Sequence, residues 1–172
     1  MTDALKEKLL MELVNLDAPW VKKNEYASEG GYLNWLPVAE FSDGRFLLGL
    51  TSKGLWARST EFAVQTVADE AVYVFFLPIL EEAPEVVRDK MVGGLKRYGL
   101  SQEFMDTFPF EKIVVTGLKS QSEYWSNLAL KWVLFVPRSN SLKVEVEALS
   151  KAGETQKIRH AARKIIKQLK VC

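Results

Sequence analysis

The chain contains very few of the residues that build most catalytic and metal centres. Among its 172 residues there is one histidine, His160, and one cysteine, Cys172. A structural zinc site needs several histidine or cysteine ligands at short spacing, and a catalytic triad needs a base beside its nucleophile. A single cysteine also cannot form an internal disulfide. We therefore expect no metal site, no cofactor and no triad-type catalysis.

Long uncharged runs are also missing. None exceeds ten residues, whereas a transmembrane helix needs about 20 apolar residues. The first positions carry Asp3, Lys6 and Glu7, where a signal peptide requires an apolar segment. The overall composition, 48% hydrophobic and 26% charged, is that of an ordinary folded protein. We therefore expect a cytoplasmic protein without a membrane span that forms a single domain over residues 1–172.

Hydrophobic periodicity predicts helices at the two ends and in the middle of the chain. Leucines at helical spacing predict a helix over residues 1–17, and a second apolar stripe predicts one over Pro84–Tyr98, followed by Gly99. Ser101 is placed to cap a short helix over Gln102–Thr107. The clearest helix is the last one, whose apolar stripe consists of Ile158, Ala161, Ala162, Ile165, Ile166 and Leu169.

The remaining pattern favours β-strands joined by short turns. Asp43-Gly44 lies between the apolar runs Leu36–Phe41 and Arg45–Thr51, which is a strong hairpin signal because glycine accepts a positive φ. Val72–Leu77 is apolar on both faces and predicts a central strand. Further strands are predicted at Leu55–Arg58, Phe62–Val67, Phe110–Leu118, Trp132–Val136 and, from strict alternation, Leu142–Ala148.

Together these elements predict the α+β class. The sheet is expected to be mainly antiparallel, with hairpin-connected strands and with N-terminal, central and C-terminal helices packed on it. Only Ser122–Ala129 stays ambiguous, because Ser122 is able to cap a helix while the segment runs directly into a predicted strand.

Residues 18–34 predict a long irregular loop that is rich in aromatic side chains. Trp20, Tyr26, Tyr32 and Trp35 lie in or beside it, together with several charged residues. Tryptophan and tyrosine are enriched among the anchors of protein interfaces, and they also stack on nucleic-acid bases. The alternative is that the loop folds over the sheet and its tryptophans plug one end. Tyr124 and Trp125 form a second, smaller candidate patch.

The near-neutral net charge of +1 hides a division along the chain. Residues 151–172 carry seven basic residues and one acidic residue, and this segment predicts a basic amphipathic helix. Such a helix either offers a basic surface to nucleic acid, an anionic membrane or an acidic protein, or packs on the core with a solvated basic face. The residues of the nucleic-acid hypothesis are Lys157, Arg159, Arg163, Lys164, Lys167 and Lys170.

Carboxylates are the remaining route to acid–base chemistry. An enzyme of this kind needs a cleft that gathers at least two of Glu40, Asp43, Glu81, Glu82, Glu85 and Asp89. Acidic residues at the start of a helix also have a sufficient structural cause in the helix dipole.

Since most catalytic sets are missing, we favour binding over catalysis. The first hypothesis is a non-enzymatic protein-interaction module, such as an immunity protein, antitoxin or inhibitor, that contacts a partner protein through aromatic side chains. Those side chains are Trp20, Tyr26, Tyr32, Trp35, Tyr124 and Trp125. The alternatives are a nucleic-acid-binding protein that uses the C-terminal helix and an enzyme with a carboxylate site.

Overall fold

The computed structural model describes residues 3–26, 31–67 and 70–171. Its elements are α1 (Asp3–Val14), β1 (Val21–Glu25), β2 (Tyr32–Phe41), β3 (Phe46–Thr51), β4 (Trp56–Ser59), β5 (Ala63–Thr66), a long 3₁₀ helix (Glu70–Glu81), α2 (Pro84–Arg97), a short 3₁₀ helix (Gln102–Thr107), α3 (Phe110–Lys119), α4 (Glu123–Trp132), α5 (Asn140–Ala152) and α6 (Gln156–Val171). No helix in these described residues is long and apolar enough to cross a membrane.

Contacts within the chain define two compact units. The barrel unit contains Met1–Val72 and Glu85–Pro109, and the helical unit contains Tyr73–Pro84 and Phe110–Cys172. Each unit is therefore assembled from two separate stretches of chain. The single domain expected over residues 1–172 stays a prediction.

The five strands of the barrel unit form a closed barrel in the order β1-β2-β3-β4-β5. Consecutive strands pair antiparallel, and β1 pairs with β5 in parallel. The parallel pair follows from the odd number of strands, because the first and last strands of a five-stranded meander point the same way. The predicted α+β class with a mainly antiparallel sheet is confirmed. Because the barrel is closed, no strand of this sheet leaves an unpaired edge.

The predicted hairpin is present between β2 and β3. Phe41 pairs with Phe46, and the intervening Ser42, Asp43 and Gly44 have φ values of 52°, 54° and 84°. Two non-glycine residues therefore adopt left-handed conformations, which aspartate and serine tolerate better than bulky residues. The Asp-Gly signal correctly located this turn.

Helix α2 packs directly on the backbone of β2. A Cβ atom built on Gly94 would lie 1.8 Å from the carbonyl oxygen of Val38, so only glycine allows this approach. Val87 and Met91 on the same helix are fully buried. Close packing explains Gly94 but not Gly93, whose Cβ position has no atom within 4 Å.

In the helical unit, helices α3 and α4 meet the long 3₁₀ helix through a small residue and a tryptophan. A Cβ on Gly117 would lie 2.9 Å from the Cβ of Ala129 and 3.2 Å from a methyl group of Leu80. The indole N–H of Trp132 donates to the carbonyl oxygen of Leu80 at 3.3 Å. This contact also fixes the indole ring, which stacks on Phe110 with 5.6 Å between ring centroids.

Four of the predicted strands are wrong, because three of their segments are helical and the fourth is mostly turn. Val72–Leu77 lies in the long 3₁₀ helix, Phe110–Leu118 in α3 and Leu142–Ala148 in α5, while Trp132–Val136 contains the end of α4. Their β-branched residues have only a weak intrinsic preference for strand, and packing overrides it.

The alternation in α5 misled the prediction because it overlaps a helical stripe. Leu142, Val146 and Leu149 are buried at spacings of four and three residues, whereas Val144 is 49% exposed. Ser139 caps this helix, since its side chain accepts a hydrogen bond from the backbone N–H of Leu142. A second serine cap resolves the ambiguous segment: Ser122 accepts from the backbone N–H of Trp125 at the start of α4.

The predicted loop over residues 18–34 is also wrong in part. It contains all of β1 and the start of β2, while residues 27–30 lie outside the described part of the chain. The sequence of β1, Val-Lys-Lys-Asn-Glu, has low strand propensity. Pairing with β2 on one side and β5 on the other makes it a strand.

Candidate functional site

Three exposed aromatic side chains surround Asn24 on strand β1. Tyr26, Tyr32 and Phe62 are 60%, 60% and 76% exposed. Asn24 pairs with Tyr32 on one side and with Ala63, the neighbour of Phe62, on the other. The Cα atoms of the three aromatic residues therefore lie within about 8 Å of the Cα atom of Asn24. We call this surface, together with Lys22, the barrel face.

One lysine side chain accompanies these aromatic rings. The ammonium group of Lys22 lies 4.6 Å from the ring centroid of Tyr32, which is a cation–π contact. Lys23 points elsewhere: its Nζ donates to Ser59 Oγ at 2.8 Å and lies 5.7 Å from the ring centroid of Trp35. The barrel face thus combines apolar rings with positive charge.

An arginine adds to this charge beside Tyr26. Arg58 Nε donates to Gln65 Oε1 at 2.9 Å, which fixes its guanidinium group on the neighbouring strands. Burial lowers the pKa of Arg58, and the Coulombic effect of Tyr26 opposes that change. The guanidinium group stays protonated at physiological pH, because the ordinary pKa of arginine lies far above that range.

Trp35 is not part of this surface, although the sequence predicts it as a partner-binding residue. It is 3% exposed and belongs to the barrel core with Leu33, Ala57 and Val64. Its side chain alternates with the outward Tyr32 along β2, so it faces the interior. Trp20, just before β1, is half-buried. The structure therefore brings together only Tyr26 and Tyr32 from the predicted loop set.

The second predicted patch lies in the helical unit. Tyr124 is 54% exposed, Trp125 is half-buried, and their rings meet edge-on with 4.8 Å between centroids. The Tyr124 hydroxyl donates to Glu81 Oε1 at 2.8 Å. This pair is held by contacts within its own unit.

Phe62 is the exposed ring of this surface that sequence reasoning missed. We assigned it to a strand over Phe62–Val67, where a phenylalanine is expected to be buried in the core. The strand instead begins at Ala63, because Thr60 forms a turn in which its side chain accepts from the Ala63 N–H. The polar residues Ser59-Thr60-Glu61 before Phe62 were the available signal for that turn.

The predicted basic helix is α6, and its cations differ in their surroundings. Lys157, Arg163, Lys164 and Lys167 are exposed, and Arg159 is half-buried. The side chain of Lys170 lies outside the described residues. Two arginines contact the end of α5: Arg159 Nη1 donates to the carbonyl oxygen of Gly153 at 2.7 Å. Arg163 Nε donates to that of Ser150 at 3.2 Å.

One groove in the barrel unit gathers two of the candidate carboxylates. Glu40 and Asp89 line a groove of 480 Å³ together with Lys90 and Arg97. Both carboxylates are exposed, so the groove lacks the water exclusion that tunes acid–base groups. Across residues 3–26, 31–67 and 70–171, no three histidine, cysteine, aspartate or glutamate side chains cluster closely enough to hold a metal ion.

Comparison of the chain with protein-family models, with curated proteins and with solved structures finds no match.

Proposed function

We propose that this protein is a non-enzymatic protein-interaction module whose contact surface is the barrel face. The observation that carries the proposal is the grouping of Tyr26, Tyr32 and Phe62 around one strand, each at least 60% exposed. Single exposed apolar side chains are common on protein surfaces. Three large exposed rings close to a single backbone position are less common, and a grouping of this kind is typical of interaction sites.

The chemistry of the barrel face suits a protein partner. Tyrosine and phenylalanine bury a large area while losing only two rotatable torsions each, so ordering them on binding costs little entropy. Backbone hydrogen bonds hold two of the three residues: Tyr32 pairs with Asn24 across β1 and β2, and the Tyr26 N–H donates to the carbonyl oxygen of Val64 at 2.9 Å. A rigid cluster of aromatic anchors is the usual composition of a binding hot spot.

Charge on the barrel face indicates what the partner presents. Lys22 lies over the ring of Tyr32, and Arg58 lies beside Tyr26. A complementary surface carries apolar side chains at its centre and carboxylates at its rim, because opposite charges across an interface raise the association rate. We therefore propose an acidic protein partner.

Within this proposal, an inhibitor, antitoxin or immunity protein in the cytoplasm is the more specific role. It is supported by size, by composition and by the missing catalytic residues. Proteins of this type act by covering a site on their partner, which requires a rigid contact surface and no chemistry of their own.

The experiment compares two exposed phenylalanines, Phe62 on the barrel face and Phe135 in the helical unit. The tagged wild-type chain captures its partner from an extract of the source cells, and the affinity of the purified partner is then measured by calorimetry. Phe62→Ala is expected to raise Kd at least tenfold, or about 1.4 kcal/mol, because it removes a hot-spot anchor.

Phe135→Ala serves as the matched control, since Phe135 is 55% exposed but lies outside the barrel unit. It is expected to leave Kd unchanged. Equal effects of the two substitutions, or none from Phe62→Ala combined with Tyr26→Ala, would show that the partner does not bind the barrel face.

A further inference from the structure

The positive charge of the helical unit lies at its C-terminal end, where residues 151–172 carry seven basic residues and one acidic residue. Tyr73–Pro84 and Phe110–Cys172 together hold twelve basic and seven acidic residues, a formal charge of +5. The barrel unit holds eleven basic and fifteen acidic residues, a formal charge of −4. Within the helical unit, residues 151–172 are therefore the segment suited to an anionic ligand.

Helix α6 carries exposed basic side chains along one face. Lys157, Arg163, Lys164 and Lys167 are exposed, and no acidic residue occurs from Gln156 to Val171. Spacings of three, four and six residues keep these side chains on one broad face, opposite the fully buried Ile158 and Ala162. The face extends along a helix of 16 residues, or about 24 Å. We call it the α6 basic face.

Two arginine contacts hold this face in place. Arg159 and Arg163 donate to the carbonyl oxygens of Gly153 and Ser150, which are left without intrahelical partners at the end of α5. The guanidinium groups thereby anchor α6 to α5. The exposed lysines are thus presented on a fixed backbone, and binding does not require the helix to be ordered first.

The residues between the cations identify the class of anion. A shallow depression of 580 Å³ on this face is lined by His160, Ala161, Arg163, Lys164 and Lys167. These residues offer neither a large apolar anchor for a protein or membrane nor an aromatic ring for stacking on unpaired bases. A ligand bound there gains charge neutralisation alone, which is how proteins contact a phosphodiester backbone.

We propose that the α6 basic face binds the sugar-phosphate backbone of duplex nucleic acid without reading its sequence. The cations that α6 holds along one broad face match the regular charge of a duplex, which carries one negative charge per about 1.7 Å of axis. This binding site belongs to the helical unit and does not depend on the proposed function of the barrel face.

The test is fluorescence anisotropy of the full chain with a labelled DNA duplex of about 20 base pairs. If Lys157, Arg163, Lys164 and Lys167 each neutralise one phosphate, raising the salt from about 50 to about 200 mM lowers affinity about 100-fold. Replacing Lys157, Lys164 and Lys167 by glutamine is expected to weaken binding at least tenfold at low salt. The same change in salt should then lower affinity only about fourfold.

A matched variant separates the α6 basic face from net charge. Lys6, Lys53 and Lys96 are exposed lysines of the barrel unit, and their replacement by glutamine removes the same charge. This variant should bind duplex with at least half the wild-type affinity. The proposal is overturned if wild type binds no duplex at low salt or if the two triple variants weaken binding equally. Tighter binding of polyglutamate or of phosphatidylserine vesicles than of duplex also overturns it, and circular dichroism verifies that each variant is folded.

Discussion

Replacing Gly94 with alanine is expected to lower the free energy of unfolding by about 3 kcal/mol. The added Cβ would lie 1.8 Å from the carbonyl oxygen of Val38 and 2.6 Å from its carbonyl carbon. Backbone atoms of a paired strand cannot rotate away as a side chain can, so α2 has to move off β2 and lose buried contacts. Urea denaturation followed by tryptophan fluorescence measures this change.

Gly93 provides the control at the adjacent position of the same helix. A Cβ there meets no atom within 4 Å, and Gly93 is exposed. Gly93→Ala is therefore expected to raise the free energy of unfolding by about 0.5–1 kcal/mol, because alanine has the higher helix propensity. Effects of the same sign at both positions would contradict the described packing of α2 on β2.

The second large effect is expected at Ile158 in α6. This side chain is fully buried, and its Cγ2 lies 2.8 Å from the position of a Cβ built on Gly153. Ile158→Ala removes buried methyl and methylene groups and leaves a cavity, which typically costs about 2–5 kcal/mol. Thermal denaturation monitored by circular dichroism at 222 nm, a standard wavelength for helix content, measures the loss.

Ile165, two turns further along α6, is the natural comparison. The sequence alone gives Ile158 and Ile165 the same place in one apolar stripe, but Ile165 is only half-buried. Ile165→Ala is expected to cost about 1 kcal/mol, since less apolar surface returns to water. If both substitutions have equal cost, the buried face of α6 is not the one described.

Local signals predicted the parts of the fold that depend on a few adjacent residues. The hairpin turn at Asp43-Gly44, the cap at Ser101 and the helix Pro84–Arg97 all have a cause within their own segment. The segments that were predicted wrongly depend instead on contacts with residues distant in sequence. The apolar run Val72–Leu77 carries no period that separates strand from helix, and β1 becomes a strand only through partners distant in sequence.

Only part of the candidate surface could be predicted, because the sequence shows which residues are aromatic but not which of them are exposed. Composition alone drew attention to Tyr26 and Tyr32, because aromatic residues among lysines are unusual in a loop. The sequence did not reveal which way each ring points. That depends on the register of β2, which turns Trp35 into the barrel core and Tyr32 outward. Phe62 was missed because a shift of one residue in the start of β5 changes a core position into an exposed one.

Because each unit is built from two separate stretches of chain, neither is completed in one step as the polypeptide is synthesised. Leu80 leaves the ribosome well before Trp132 and Gly117, the residues that contact it in the helical unit. Helices α2 and the short 3₁₀ helix, which belong to the barrel unit, are translated in between. A polypeptide starting at Phe110 would leave the indole N–H of Trp132 without its carbonyl acceptor. No single cut therefore yields two intact units: a cut before Phe110 leaves Tyr73–Pro84 of the helical unit attached to the barrel.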